Sequence, residues 1–142
     1  MRIRHAELTD ADAVFELSLR FATSYRPQRP LFDQNFELLL AAMTYDGTDL
    51  LVAEDEGKVI GYALASRFLA LCAPGPVAEL HELIVDPAYR NRGMGRMLVE
   101  AVIGRARTTG AVEVTAPTRG AGDYYRRLGF EVSATLMRLP LT

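Results

Sequence analysis

Apolar residues recur along this chain with two different periods. Val14, Leu17 and Phe21 fall at i, i+3 and i+7, which places them on one face of a helix. Phe36, Leu39, Leu40 and Met43 repeat that spacing. So do Met94, Leu98, Val102 and Ala106, with Val99 and Ile103 widening the stripe of a long helix predicted over residues 93–108. Residues 3–6, 50–54, 58–67, 77–85, 111–115 and 130–139 read instead as strands, and 121–128 as a short helix ended by Gly129. Thr9 and Asp10 offer caps for the first helix, with Asp12 as the far member of a capping box, and Asp33 offers a cap for the second. Pro27 and Pro30 forbid a continuous helix and make 25–30 a loop. Residues 55–57 carry a hairpin signal, 73–76 a second break, and Gly110 stands where a helix C-cap glycine belongs.

The resulting order, β-α-α-β-β-β-α-β-α-β, describes a mixed α/β domain with a twisted, mostly antiparallel sheet flanked by helices. Neither a linker nor a second core is visible, so residues 1–142 are expected to form one domain. At 142 residues, 49% hydrophobic and 24% charged, the chain has the balance of a globular protein able to bury a core without staples. A formal net charge of −2 gives no bulk reason to expect nucleic acid. No apolar run approaches the roughly 20 residues that span a bilayer, and the N-terminus lacks the apolar stretch of a signal peptide. The single cysteine, Cys72, excludes an intramolecular disulfide. With two distant histidines it leaves too few ligands for a zinc site, so no metal is expected. A cytoplasmic location without a membrane partner follows as the expectation.

The chemistry concentrates between Glu79 and Phe130. A strand runs through Leu83, Ile84 and Val85 into a turn, Arg90-Asn91-Arg92-Gly93-Met94-Gly95-Arg96, at which the long helix begins. The first N–H groups of a helix have no internal partner, carry partial positive charge and form an anion site. Gly93 and Gly95 remove side chains where a phosphate must approach the backbone, and Arg90, Arg92 and Arg96 surround the place with cations suited to phosphate. A dinucleotide Gly-x-Gly-x-x-Gly fingerprint would need glycine at Leu98, and the Gly-Lys-Ser/Thr of a P-loop is absent.

Arg90-x-x-Gly93-x-Gly95, following Leu83-x-Val85-x-Pro87, resembles the acetyl-CoA motif of the GNAT (Gcn5-related N-acetyltransferase) superfamily. Tyr125-x-x-x-Gly129-Phe130 resembles its second signature, and the resemblance extends over nearly the whole chain. It implies an enzyme that moves an acetyl group from acetyl-CoA to a primary amine by direct attack. It also implies that the strand before the turn splays from its neighbour. Backbone groups of Leu83, Ile84 and Val85 would then hold the pantetheine arm, and Asn91–Arg96 the pyrophosphate. Where many members carry Asn, seven residues before Tyr125, this chain has Thr118.

The attacking amine must lose its proton and the departing thiolate gains by receiving one. The resemblance makes Tyr125 the acid, with Tyr124 expected in the core. For the base, Glu79 has the spacing of a catalytic glutamate in one branch, and positions 79 and 81 match a histidine pair in another. Glu113 matches the base of a third, leaving Glu79, His81 and Glu113 open. Strict alternation puts 79, 81, 83 and 85 on one strand face and Glu82 on the other, so Glu82 reads as structural or surface unless a bulge intervenes. The segment 22–33, with Arg26 and Arg29, is expected to line the acceptor site. The acceptor is an amine-bearing small molecule or a peptide. Other possibilities are a protein N-terminal or lysine acetylase and a non-catalytic acyl-CoA-binding module. A homodimer is compatible with the family.

Overall fold

A computed structural model describes residues 1–21, 25–45 and 47–142; residues 22–24 of the expected acceptor segment lie outside it. One sheet carries strands β1 (Arg2–His5), β2 (Thr48–Asp55), β3 (Lys58–Phe68), β4 (Val77–Val85) and β5 (Glu113–Thr115) in that spatial order. Neighbours from β1 to β4 are antiparallel, and β5 joins β4 in parallel. Helices α1 (Ala11–Ser18) and α2 (Arg29–Ala42) cover one face, α3 (Met94–Thr108) covers the other, and α4 (Gly122–Arg127) follows β5. No helix among the described residues is long and apolar enough to cross a membrane.

Two apolar clusters sandwich the sheet because β2 and β3 bury both faces. Leu50, Val52 and Tyr62 meet Val14, Leu17 and Phe36 of α1 and α2. Leu51, Ala53, Ile60, Ala63 and Ala65 meet Met94, Leu98, Val99 and Val102 of α3, the stripe expected from its periodicity. Glu56 and Gly57, with φ of 50° and 79°, form the predicted β2–β3 turn. At the end of α3, Gly110 at φ 81° allows its N–H to reach Arg107 and that of Ala111 to reach Ala106, closing the helix.

A charged cluster lies at the edge of this core. Asp49 of β2, 1% exposed, accepts from Arg67 Nη1 of β3 at 2.6 Å and Arg105 Nε of α3 at 3.1 Å, and lies 3.0 Å from His5 Nε2 of β1. Burial opposes ionisation of Asp49. The hydrogen bonds from His5 and Arg67 and the charges of Arg67 and Arg105 outweigh it and hold its pKa below the usual carboxylate value.

Four expectations are corrected. The capping box of the first helix is Glu7 with Asp10, ahead of a 3₁₀ turn at Leu8–Asp10, rather than Thr9 with Asp12. α2 starts at Arg29, before Asp33, because Pro30 is tolerated in a first turn, where its missing N–H has no helical partner. β5 is shorter than expected, at Glu113–Thr115. Finally, no strand forms at 130–139. Residues 131–142 join no helix or strand and are exposed, among them Leu136, Met137 and Leu139. Alternation marks side chains that can share a face, but a strand exists only where a neighbouring backbone takes its hydrogen bonds.

Candidate active site

Pairing between β4 and β5 ends at Glu79 and Thr115, while β4 continues to Val85. The outer edge of β4 from Leu80 to Val85 therefore has no strand partner among the described residues. Its inner edge pairs with β3 through Leu83, Ile84 and Val85 opposite Ala63, Tyr62 and Gly61.

The β3–β4 register shifts within β4. Leu64 opposes Glu82 and Ala65 opposes Leu80, so His81 is an extra residue. This bulge overturns strict alternation for the residues before it, whereas Glu82 stays on the face opposite Leu83 and Val85. Leu80 and Leu83 both pack towards α3, whereas Ile84 packs towards α1 and α2. Glu82 lies on the same side as Ile84, opposite Leu64, and lines a cavity of about 980 Å³ bounded by α1, α2 and the sheet. It is half-buried rather than a surface residue. Tyr62, 2% exposed, donates its hydroxyl to Glu82 Oε1 at 2.7 Å. Burial first, and the Glu82 charge second, drive the Tyr62 pKa far above its ordinary value, so this phenol remains a donor.

Glu79 and His81 lie together but take part in a different network. His81 Nδ1 is 3.2 Å from Glu79 Oε2, and its Nε2 is 2.6 Å from Ser66 Oγ. Thr115 donates its hydroxyl to Glu79 Oε1 at 3.1 Å. An imidazole protonated at Nδ1 satisfies both contacts, donating to Glu79 and accepting from Ser66. The chain Ser66–His81–Glu79–Thr115 thus spans β3, β4 and β5 where the ladder ends. Glu113 is exposed at the other end of β5, opposite Val77.

Across from the edge of β4, the backbone is shaped for an anion. Asn91 has φ 64° and Gly93, the N-cap of α3, has φ 77°. Left-handed residues spaced in this way turn successive N–H groups into one concavity. Arg90, Arg92 and Arg96 are exposed around it, Arg92 over the Tyr89 ring at 5.3 Å and Arg96 held by Glu100 at 2.9 Å. Met94 contributes only backbone, since its side chain is 1% exposed in the core. A Cβ on Gly95 would lie 2.6 Å from Tyr124 Oη, so glycine lets α4 close against the start of α3. That Tyr124 hydroxyl is buried with no hydrogen-bond partner. Burial raises its pKa against the pull of Arg96 and Arg127, leaving a neutral donor beside the turn. Tyr124 was expected as core. A turn of left-handed residues with an orphaned donor at its rim fits a phosphate-bearing group.

Tyr125 packs edge-on against Phe130 at 5.3 Å and against the α3-side core. Burial first and Tyr124 second push its pKa up to about 12, so its phenol keeps its proton at neutral pH. Thr118 accepts from the Ala121 N–H at 3.1 Å at the start of α4. Cys72 is exposed. Arg29 is committed to Asp12 at 2.7 Å and Asp33 at 2.8 Å and does not line the cavity, whereas Arg26 does. Among the described residues no group of three or more His, Cys, Asp or Glu side chains is placed to hold a metal ion.

Comparison with known proteins agrees with this geometry. The family model described as "Acetyltransferase (GNAT) family" matches residues 11–130. An uncharacterised N-acetyltransferase of Methanocaldococcus jannaschii is 37% identical over 63% of this chain, and the match spans 42% of that relative's length. Glucosamine 6-phosphate N-acetyltransferase 1 of Oryza sativa subsp. japonica is 31% identical, covering 91% of this chain and 80% of the rice protein. Among solved structures, an aminoglycoside N-acetyltransferase in complex with CoA superposes with a TM-score of 0.83 at 23% identity, over 98% of this chain and 93% of that one, a likeness of fold. With the family model covering residues 11–130, the chain belongs to the acetyltransferase (GNAT) family and is an acetyltransferase.

Proposed function

We propose that the protein transfers an acetyl group from acetyl-CoA to a primary amine of a small molecule. The observation that carries this reading is the position of β4 between two sites. Its unpaired edge leads into the anion-shaped turn, and its Glu82 lines the cavity on the other side. Bound acetyl-CoA would supply an activated thioester. The N–H groups of residues 91–96 would hold its pyrophosphate, with Arg90, Arg92 and Arg96 around it and the Tyr124 hydroxyl as a further donor. Backbone groups of Leu83, Ile84 and Val85 on the outer edge of β4 would pair with the pantetheine arm.

Glu82, rather than Glu79 or His81, is the base in this reading, because it alone of the three lines the cavity. It would accept the proton of an arriving ammonium while Tyr62 holds its Oε1. Tyr125 would hold the proton destined for the departing sulfur. The cavity between helices favours a small amine over a protein tail, and the carboxylate with its buried donor supports a catalyst over an acyl-CoA-binding module.

The cofactor site is tested by melting the protein with acetyl-CoA. Stabilisation reaches about 2.7 kcal/mol at about 100 times Kd. Gly93→Glu weakens binding at least about tenfold, equivalent to about 1.4 kcal/mol. Gly93→Ala carries the same left-handed strain without the charge and separates the two effects. An unchanged Kd in Gly93→Glu would place the phosphate elsewhere.

Tyr125→Phe preserves the ring packing and removes only the hydroxyl. The coenzyme thiol is like that of cysteine, with a pKa of about 8.5, so its anion leaves tolerably unaided. The expected loss in kcat is therefore near the lower end of general acid catalysis, about 10². Wild-type turnover by this variant would remove Tyr125 from the chemistry.

A further inference from the structure

We infer that the acceptor is a hydrophobic primary amine, an ammonium carried on an aromatic or branched aliphatic body, and not an amino sugar. This rests on the transfer reading above and names the substrate class of the same cavity. Glu82 and Arg26 are the only charged groups among the described residues that line it. The remaining wall is dominated by Phe21, Phe32, Phe36, Leu39 and Leu64. Two of the lining hydroxyls are already engaged: Tyr62 donates to Glu82, and Ser18 donates to the Phe15 carbonyl at 2.6 Å. Phe32 lies edge-on to Phe15 at 5.1 Å and stacked on Phe36 at 5.6 Å, which fixes an aromatic face along α2.

A sugar amine brings several hydroxyl groups, each of which loses water on entry and needs a partner in return. Beyond Arg26, Gln28 and Asn35 along one side, the described wall offers them mostly carbon. A hydrocarbon body loses nothing on entry and gains by leaving water. The charge pattern points the same way. Glu82, held in place by Tyr62, is the single carboxylate available among the lining residues, which suits a ligand with one ammonium. The mouth carries the same signature, since Tyr25, Leu31 and Leu38 line the cavity yet are 76%, 57% and 68% exposed. Large apolar side chains left in water around a cavity are typical of a surface that a ligand covers.

The test uses the purified protein and three probes: phenethylamine, glucosamine 6-phosphate and a short lysine-containing peptide. Thiol release from acetyl-CoA gives kcat/KM for each, and calorimetry with phenethylamine alone measures binding without turnover. Phenethylamine is expected to exceed glucosamine 6-phosphate by about 100-fold in kcat/KM, the contribution of a few buried carbons together with unpaired sugar hydroxyls. Leu31→Asp, at an exposed position with little risk to folding, should raise the phenethylamine KM about tenfold and leave the acetyl-CoA Kd unchanged. Faster turnover of the sugar or the peptide overturns this substrate class and leaves acetyl transfer intact. Phenethylamine that binds in calorimetry but is not acetylated supports the class and sinks the transfer reading. The absence of both binding and turnover of phenethylamine overturns the inference, whatever acetyl-CoA does to the melting temperature.

Discussion

Asp49→Ala lowers the unfolding free energy by about 3–5 kcal/mol, the usual result of removing one partner from a buried ion pair. The carboxylate is 1% exposed and faces the Arg67 guanidinium, whose side chain is 6% exposed, so the variant leaves a cation in the interior opposite no carboxylate of residue 49. Urea unfolding at pH 7 measures the loss. The pH dependence identifies its origin. Asp49 has a folded-state pKa below the ordinary value, so the stability it contributes is complete above its unfolded-state pKa of about 3.9. That contribution is lost as pH falls from there through the lowered native value. The gap between wild type and variant should therefore be full at pH 7 and shrink below about pH 4. A loss under about 1 kcal/mol at pH 7 would make the cluster no more than a surface ion pair.

Glu82→Gln lowers kcat by about 10²–10⁴ at pH 7 once an acceptor is in hand, the range of a lost general base. Glutamine keeps the shape and can still accept from Tyr62, so the fold and the cavity persist. The defect should diminish as pH rises towards the amine pKa of about 10.4, where the free base becomes common without help. Glu79→Gln is the comparison. Its side chain is tied to Thr115 and His81, so the expected change in kcat is less than about tenfold. A severe defect in Glu79→Gln beside a silent Glu82→Gln would transfer the role to the Glu79–His81 pair.

Periodicity was sufficient for most of the scaffold. The α3 stripe, the β2–β3 hairpin and β4 all follow from local spacing, because each is determined by neighbours within a turn or a pleat. The turn from Arg90 to Arg96 was legible as a turn for the same reason, since its glycines lie within a few residues of the helix start. What escaped the sequence depends on partners remote along the chain. His81 is a bulge only because β3 opposes it, and that one extra residue brings Leu80 to the face of Leu83. Asp49, two residues into β2, looks like any charge at a strand start until Arg67 and Arg105 arrive from β3 and α3. Tyr124 gave no signal apart from Tyr125, and its orphaned hydroxyl exists only where α4 meets Gly95. A Tyr at position 62 opposite the strand of Glu82 was the available clue to a carboxylate with a buried donor. The segment after Phe130 joins no strand because its alternation is local while strand formation is not.

The early end of the β4–β5 ladder has a consequence for how the molecule breathes. Three register pairs join β5 to β4, against eight between β3 and β4. Amides of β5 and α4 should thus exchange with solvent through local opening at lower free energy than those of β2 and β3. A ligand lying along the free edge of β4 would bond to the strand and touch α4 at once. It would act as the missing rungs, closing that opening and slowing exchange on both flanks while the far side of the sheet hardly changes.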